Sequence, residues 1–132
     1  MMSEERPIRF NLLNKDELIY EVTIRNAVPE TTVGRLRAQI SRLAKELPSD
    51  EVNEFEGDVE AELKIISHKV TELEELLETK PLLLKKVNRI QALGNHLFHR
   101  LSRVEPDTEE SQLLKVRLDS LLLSLLQRVD RM

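Results

Sequence analysis

Residues 59–77, VEAELKIISHKVTELEELL, place Val59, Leu63, Ile66, Val70, Leu73 and Leu77 at steps of 4, 3, 4, 3 and 4. That alternation keeps one apolar line on a single side of a helix, the seam that packs knobs into the holes of a neighbouring helix. The next apolar line, Leu83, Val87, Ile90, Gly94, Leu97, Leu101 and Val104, follows the same rhythm and is widened by Leu84, Leu93 and Phe98. Lys80-Pro81 lies between the two, and proline suits the first position of a new helix. Two seamed helices across a short turn predict an antiparallel hairpin.

Charge sorts the arms of that hairpin. Residues 49–79 carry eleven acids against Lys64 and Lys69, whereas 80–104 carry six bases and no acid. Opposite arms disfavour like-with-like pairing, so their main effect is to fix which helix lies beside which. The basic arm has an alternative use. Lys80, Lys85, Lys86, Arg89, Arg100 and Arg103 would suit an anionic surface, either nucleic acid or the negative inner leaflet of a membrane.

The acidic helix is expected to start near Ser49 or Asp50, with Asp50, Glu51 and Glu54 in its first turns and Val52 and Phe55 extending its seam. Gly57 is its weak point, since glycine costs about 1 kcal/mol in a helix interior. A bend there, or a later start near Asp58, is the alternative. Gly94 lies on the basic seam, where a missing side chain admits a close crossing or a bulky neighbour.

Pro106 ends the basic helix, and Asp107 with Glu110 has the spacing of a capping box opening a last helix. Its stripe is Leu114, Leu118, Leu121, Leu125 and Val129, with Leu113, Leu122, Leu123 and Leu126 beside it. A face so wide exceeds what one neighbour covers. It is either buried in the chain's own three-helix core or meets another copy. Leu114, Leu118, Leu121, Leu122, Leu125 and Val129 are the candidate self-association residues. The pattern is still running at Asp130-Arg131-Met132, as it would in a piece of a longer polypeptide.

Ahead of the hairpin, Asn14 with Glu17 has capping-box spacing for a helix running to about Arg25, and Asn26 tolerates the left-handed conformation that ends many helices. After Ala27-Val28-Pro29-Glu30, Thr31 or Thr32 can cap a second helix with Val33, Leu36, Ile40, Leu43, Ala44 and Leu47 at 3–4 spacing until Pro48. The architecture expected is all-α: a two-helix unit over 1–48, then a three-helix antiparallel bundle or coiled-coil-like region over 49–132. Within it the acidic helix spans 49–79, the basic helix 81–104 and the leucine-rich helix 108–131.

Composition agrees and narrows the chemistry. Among 132 residues, 40% are apolar, 33% charged and 3% aromatic, with three glycines, so leucine has to fill the core. No cysteine is present, which removes disulfides, zinc knuckles and thiol catalysis. No apolar run reaches the roughly 18 residues of a membrane span, and the start lacks a signal-peptide core. An intracellular, cytoplasmic protein without stable membrane insertion is the default. His96 and His99 stand one turn apart, a spacing that can hold a metal given further ligands. With no fixed third ligand they read as surface or boundary histidines, and no cofactor is implied. The carboxylates of the acidic arm read as a solvated face, because catalysis needs a concave site with perturbed groups.

Leu12-Leu13-Asn14-Lys15-Asp16-Glu17-Leu18-Ile19-Tyr20-Glu21-Val22-Thr23-Ile24-Arg25, with Pro29, Thr32-Val33-Gly34-Arg35-Leu36-Arg37 and Ile40, resembles the N-terminal region of Gag-like proteins from insect LTR retrotransposons. Asn95-His96-Leu97-Phe98-His99-Arg100-Leu101 is similar to a segment further along those proteins. The resemblance implies a non-enzymatic, matrix-like assembly role ahead of a capsid domain, with a homo-oligomer and a protein partner for the bundle. The same N-terminal segment is similar to the SAP motif, a two-helix DNA-binding module, through Leu13, Leu18, Arg25, Pro29 and Leu36. Asn26-Ala27 replaces the usual glycine-containing turn. A nucleic-acid role, the alternative, would fall to Arg35, Arg37, Arg42 and Lys45. Residues 1–48 hold eight bases and seven acids, little excess for phosphate binding.

Overall fold

The computed structural model describes residues 6–79 and 83–132, and among them every regular element is helical. They comprise five α-helices, α1 (Lys15–Ile24), α2 (Val33–Glu46), α3 (Val59–Glu78), α4 (Leu84–Ser102) and α5 (Glu109–Asp130), with a short 3₁₀ turn before α1 at Phe10–Leu12 and another between α2 and α3 at Ser49–Glu51. The chain forms two compact units, Met1–Asn53 and Glu54–Met132.

In the first unit α1 and α2 pack on each other. Asn14 caps α1, its amide donating to the Glu17 carboxylate at 2.9 Å in the capping-box arrangement. Asn26 adopts φ 64°, the left-handed residue that terminates the helix as its sequence position predicts. Thr32 caps α2 by accepting from the Arg35 amide at 3.2 Å. Leu13, Leu18, Val22, Leu36 and Ile40 form the buried centre. The link between the helices is held by Gln39, which donates to the Val28 carbonyl at 2.8 Å and accepts from the Glu30 amide at 3.0 Å.

Polar groups complete this unit. Arg25 Nη1 donates to the Glu21 carboxylate at 2.8 Å and to its carbonyl at 2.9 Å, Nε donates to the Leu47 carbonyl at 2.9 Å, and Nη2 reaches the Ser49 hydroxyl at 3.3 Å. The guanidinium also lies 5.5 Å from the centre of the Phe10 ring. One buried arginine therefore ties the end of α1 to the residues that follow α2.

The second unit is a three-helix bundle in which α3, α4 and α5 each pack against the other two. The seam residues Val59, Leu63, Ile66, Val70, Leu73 and Leu77 of α3 all lie in its core, with Ile90, Leu93, Leu97, Leu101 and Val104 from α4 and its exit. Gly94 sits where α5 crosses. A Cβ built on it would stand 3.0 Å from a Leu126 methyl and 4.0 Å from a Leu73 methyl, so the bulky neighbour expected there is Leu126.

Two boundaries differ from the sequence reading. The acidic helix begins at Val59, ten residues beyond Ser49, because Asp58 caps it by accepting from the Ala61 amide at 3.1 Å and Gly57 is kept out of the helix. Upstream, the Phe55 amide donates to the Arg103 carbonyl at 2.7 Å, a bond outside the helical ladder, and Ser49 is engaged by Arg25. The last helix is capped one residue later than expected, by Thr108 with Ser111 rather than Asp107 with Glu110. The Thr108 hydroxyl accepts from the Ser111 amide at 3.0 Å, and the Ser111 hydroxyl accepts from the Thr108 amide at 3.0 Å. The basic helix is described from Leu84; Lys80 and Pro81, with the proposed Pro81 start, lie outside the described residues.

Candidate interaction surfaces

The wide leucine face of α5 divides into two stripes with opposite fates. Leu118, Leu122, Leu125, Leu126 and Val129 are buried in the bundle core, and Leu114 packs half-buried against it. Of the six residues expected to mediate self-association, only Leu121 is exposed, at 37%. The reason is that α5 contacts both α3 and α4, and two neighbours absorb a broader face than one.

A second stripe remains in solvent. Leu113, Val116 and Leu123 are 63%, 56% and 58% exposed. Together with Ser120 and Gln127 they follow steps of 3, 4, 3 and 4, so they form one line along the helix. Glu109 stands at the start of this line and Asp130 at its finish, with Glu110 and Arg131 flanking the two ends. Asp119 flanks it, its carboxyl raised from its ordinary value by partial desolvation, with Lys115 one turn earlier acting in the opposite direction. Lys115 also donates to the Val104 carbonyl at 2.7 Å, fixing the turn that leads into α5.

The four candidate nucleic-acid residues are all exposed, and they divide. Arg35 and Arg42, two turns apart, line a shallow depression of about 290 Å³ with Glu30, Ala38 and Gln39. Lys45 follows Arg42 by three residues on the same side of α2. Arg37 is two residues from Arg35, about 200° around the helix at 3.6 residues per turn, and points elsewhere. Glu30 brings a carboxylate to the same depression, which tempers its attraction for phosphate.

The charged arms of the hairpin meet each other. Arg100 makes a two-pronged contact with Glu62, Nε to Oε2 at 2.7 Å and Nη2 to Oε1 at 2.9 Å, with both side chains buried. Arg89 pairs with Glu72 at 3.1 Å. Ten residues along α3 thus match eleven back along α4, the antiparallel register. Lys86 donates to the Thr79 carbonyl. These three bases of the basic arm are taken up inside the hairpin, while Lys85 remains exposed.

His96 and His99 are buried, a correction to their reading as surface or boundary groups. With Ala92 and Arg103 they form a second buried line at steps of 4, 3 and 4, well round α4 from the leucine seam. The Phe98 ring meets the His99 ring edge-on at 5.2 Å between centres. Sequence patterning misses this line because two histidines and an arginine break its apolar signal. Among the described residues, no group of three or more potential ligands gathers to hold a metal, and no helix is long and apolar enough to cross a membrane.

The chain matches no protein-family model, no curated protein and no solved structure.

Proposed function

We propose that this protein is a non-enzymatic assembly module that associates with itself through the outward stripe of α5. The observation that carries the reading is the line Leu113, Val116 and Leu123, more than half exposed and in heptad rhythm. Single exposed leucines are ordinary on a folded surface; several aligned on one helix are the pattern of a partner face. The likeness of residues 12–40 to Gag N-terminal regions favours a Gag-type assembly role. The contact set is revised accordingly, from the core-bound Leu118, Leu122, Leu125 and Val129 to Leu113, Val116 and Leu123, with Leu121 at the margin.

Light scattering after size exclusion, over a wide concentration range, tests this. The wild-type chain should form a dimer or larger closed oligomer, and the double variant Leu113→Lys/Leu123→Lys should be a folded monomer by circular dichroism. A wild-type monomer at every concentration, or an oligomer indifferent to those substitutions, overturns the reading. Leu118→Lys/Leu122→Lys should instead lose helicity, because it puts charge into the core.

A second reading rests on Arg35 and Arg42 sharing one depression, with Lys45 nearby. Under it, α2 contacts the phosphate backbone of DNA or RNA. Binding should be salt-sensitive and abolished by Arg35→Glu/Arg42→Glu, while Arg37→Glu has the smaller effect. No measurable affinity at low salt ends this alternative.

A further inference from the structure

We propose that two copies pair with their α5 helices antiparallel, Leu113 of one copy packing against Leu123 of the partner subunit. This inference rests on the self-association reading and specifies its geometry. In a parallel, in-register pair every residue meets its own copy, so Ser120 would form a polar layer between the Val116 and Leu123 layers and Gln127 another beyond Leu123. The antiparallel arrangement sorts the same residues differently. Centred level with Leu118, it sets Leu113 against Leu123 twice, as a two-fold axis requires, and Val116 over Ser120 twice. Each inner layer then joins a large side chain to a small one, and Gln127 faces Glu109 of the partner subunit instead of its own copy.

Charge favours the same orientation. The outward line starts at Glu109 and ends at Asp130, with Glu110 flanking its start, Arg131 flanking its finish, and Arg128 further round the helix, bonded to Glu78 at 2.8 Å. Antiparallel copies part Glu109 and Asp130 from their own copies and bring Glu110 toward Arg131 of the partner subunit; parallel copies stack Glu109 on Glu109 and Asp130 on Asp130. The helix dipoles also oppose one another only in the antiparallel pair. The apolar line from Leu113 to Leu123 spans about 15 Å at 1.5 Å per residue, so the interface is small and the dimer should dissociate on dilution.

The natural chain has no cysteine, which makes cross-linking clean. Leu113→Cys and Leu123→Cys are prepared separately, checked for helicity, and oxidised alone and as an equimolar mixture, with products read on a non-reducing gel. The antiparallel pair predicts a covalent dimer in the mixture, at least tenfold more abundant than with either variant alone. In that pair like cysteines lie about 15 Å apart along the axis, beyond the roughly 7 Å that a disulfide spans between Cα atoms. Efficient cross-linking of each variant with itself and none specific to the mixture would overturn the antiparallel geometry and leave self-association standing. Absence of cross-links in all three samples, with light scattering showing dimers, would also overturn it. Monomers throughout would remove the self-association reading as well.

Discussion

Arg25 and Arg100 are both buried arginines bonded to buried glutamates, one in each unit, but Arg25 meets Glu21 from the next turn of its own helix whereas Arg100 meets Glu62 across the hairpin. A pair at i, i+4 can form in an isolated helix and says nothing about what packs on that helix. The tertiary information held by Arg25 lies in its other bonds, to the Leu47 carbonyl and Ser49. Arg100 is the reverse case: its ion pair is itself the long-range contact, and it fixes how far α3 and α4 slide along each other. Burial makes both pairs costly to break, because a lone carboxylate left inside is far worse than either a satisfied pair or an apolar substitute.

The largest effect is expected at Arg25. Arg25→Ala removes bonds to a carboxylate, two carbonyls and a hydroxyl at once, and breaking a buried pair alone costs about 3–5 kcal/mol. In a unit of this size that approaches the whole folding free energy. Tyr20, the only tyrosine, is buried in the same unit. Its near-ultraviolet circular dichroism should vanish in the variant while most of the helical signal of the bundle persists. Survival of the tyrosine signal would show that the arginine is dispensable to the two-helix unit.

Arg100→Ala comes next, at about 3–5 kcal/mol in chemical denaturation of the bundle, with the Tyr20 signal retained at low denaturant. The comparison is sharpened by replacing both partners. Glu62→Leu/Arg100→Met should regain most of the loss, since a buried ion pair exchanged for apolar groups of similar size is often neutral or better. The arms would then depend on their seams and on Arg89–Glu72 for register. A double variant as unstable as the single one would mean that the charge pair contributes net stability beyond register.

How far these features are legible in the amino-acid sequence differs between the units for a physical reason. The bundle seams can be read because a 3–4 rhythm needs only apolar residues on one helix, and all six seam positions from Val59 to Leu77 are in the core. Asn26 is legible because few residue types tolerate positive φ. Ser49–Asp58 misleads: it has helical composition, but Gly57 before a good capping aspartate and the backbone bond from Phe55 to Arg103 settle it otherwise. The outward line of α5 is hidden for the opposite reason. Leu113 and Leu123 are swallowed by a leucine-rich stretch, and Ser120 and Gln127 interrupt the line they belong to. Only burial, which depends on where α3 and α4 lie, separates the two stripes. The buried polar line through His96 and His99 is invisible to any reading that equates core with apolar.

Gly94→Ala should have a moderate effect. The added methyl would stand 3.0 Å from a Leu126 methyl, so Leu126 must shift in a packed core. Overpacking costs about 1–3 kcal/mol, while replacing glycine by alanine inside a helix returns up to about 1 kcal/mol. A net loss of about 1 kcal/mol, read from the denaturation midpoint, is expected. A stabilised variant would mean that α5 can move away from α4 at little cost, and that the crossing is looser than the Leu126 contact indicates.

The smallest effect should come from another arginine–glutamate pair, Arg128–Glu78, which joins α5 to α3 at 2.8 Å but leaves both side chains largely in solvent, 43% and 63% exposed. Its geometry is as close as that of the buried pairs, so it isolates the contribution of burial. Exposed pairs are worth about 0.2–1 kcal/mol, because water screens the attraction and two long side chains must be held still. A double-mutant cycle with Arg128→Ala and Glu78→Ala should give a coupling in that range at low salt, shrinking further at about 1 M salt where the Debye length falls to about 3 Å. A coupling of the size expected at Arg100, and unmoved by salt, would mean that this end of α5 is shielded from solvent in the assembled protein. The cycle would then have to be repeated on the Leu113→Lys/Leu123→Lys monomer, where an intrinsic pair keeps its coupling and one shielded by a second copy loses it.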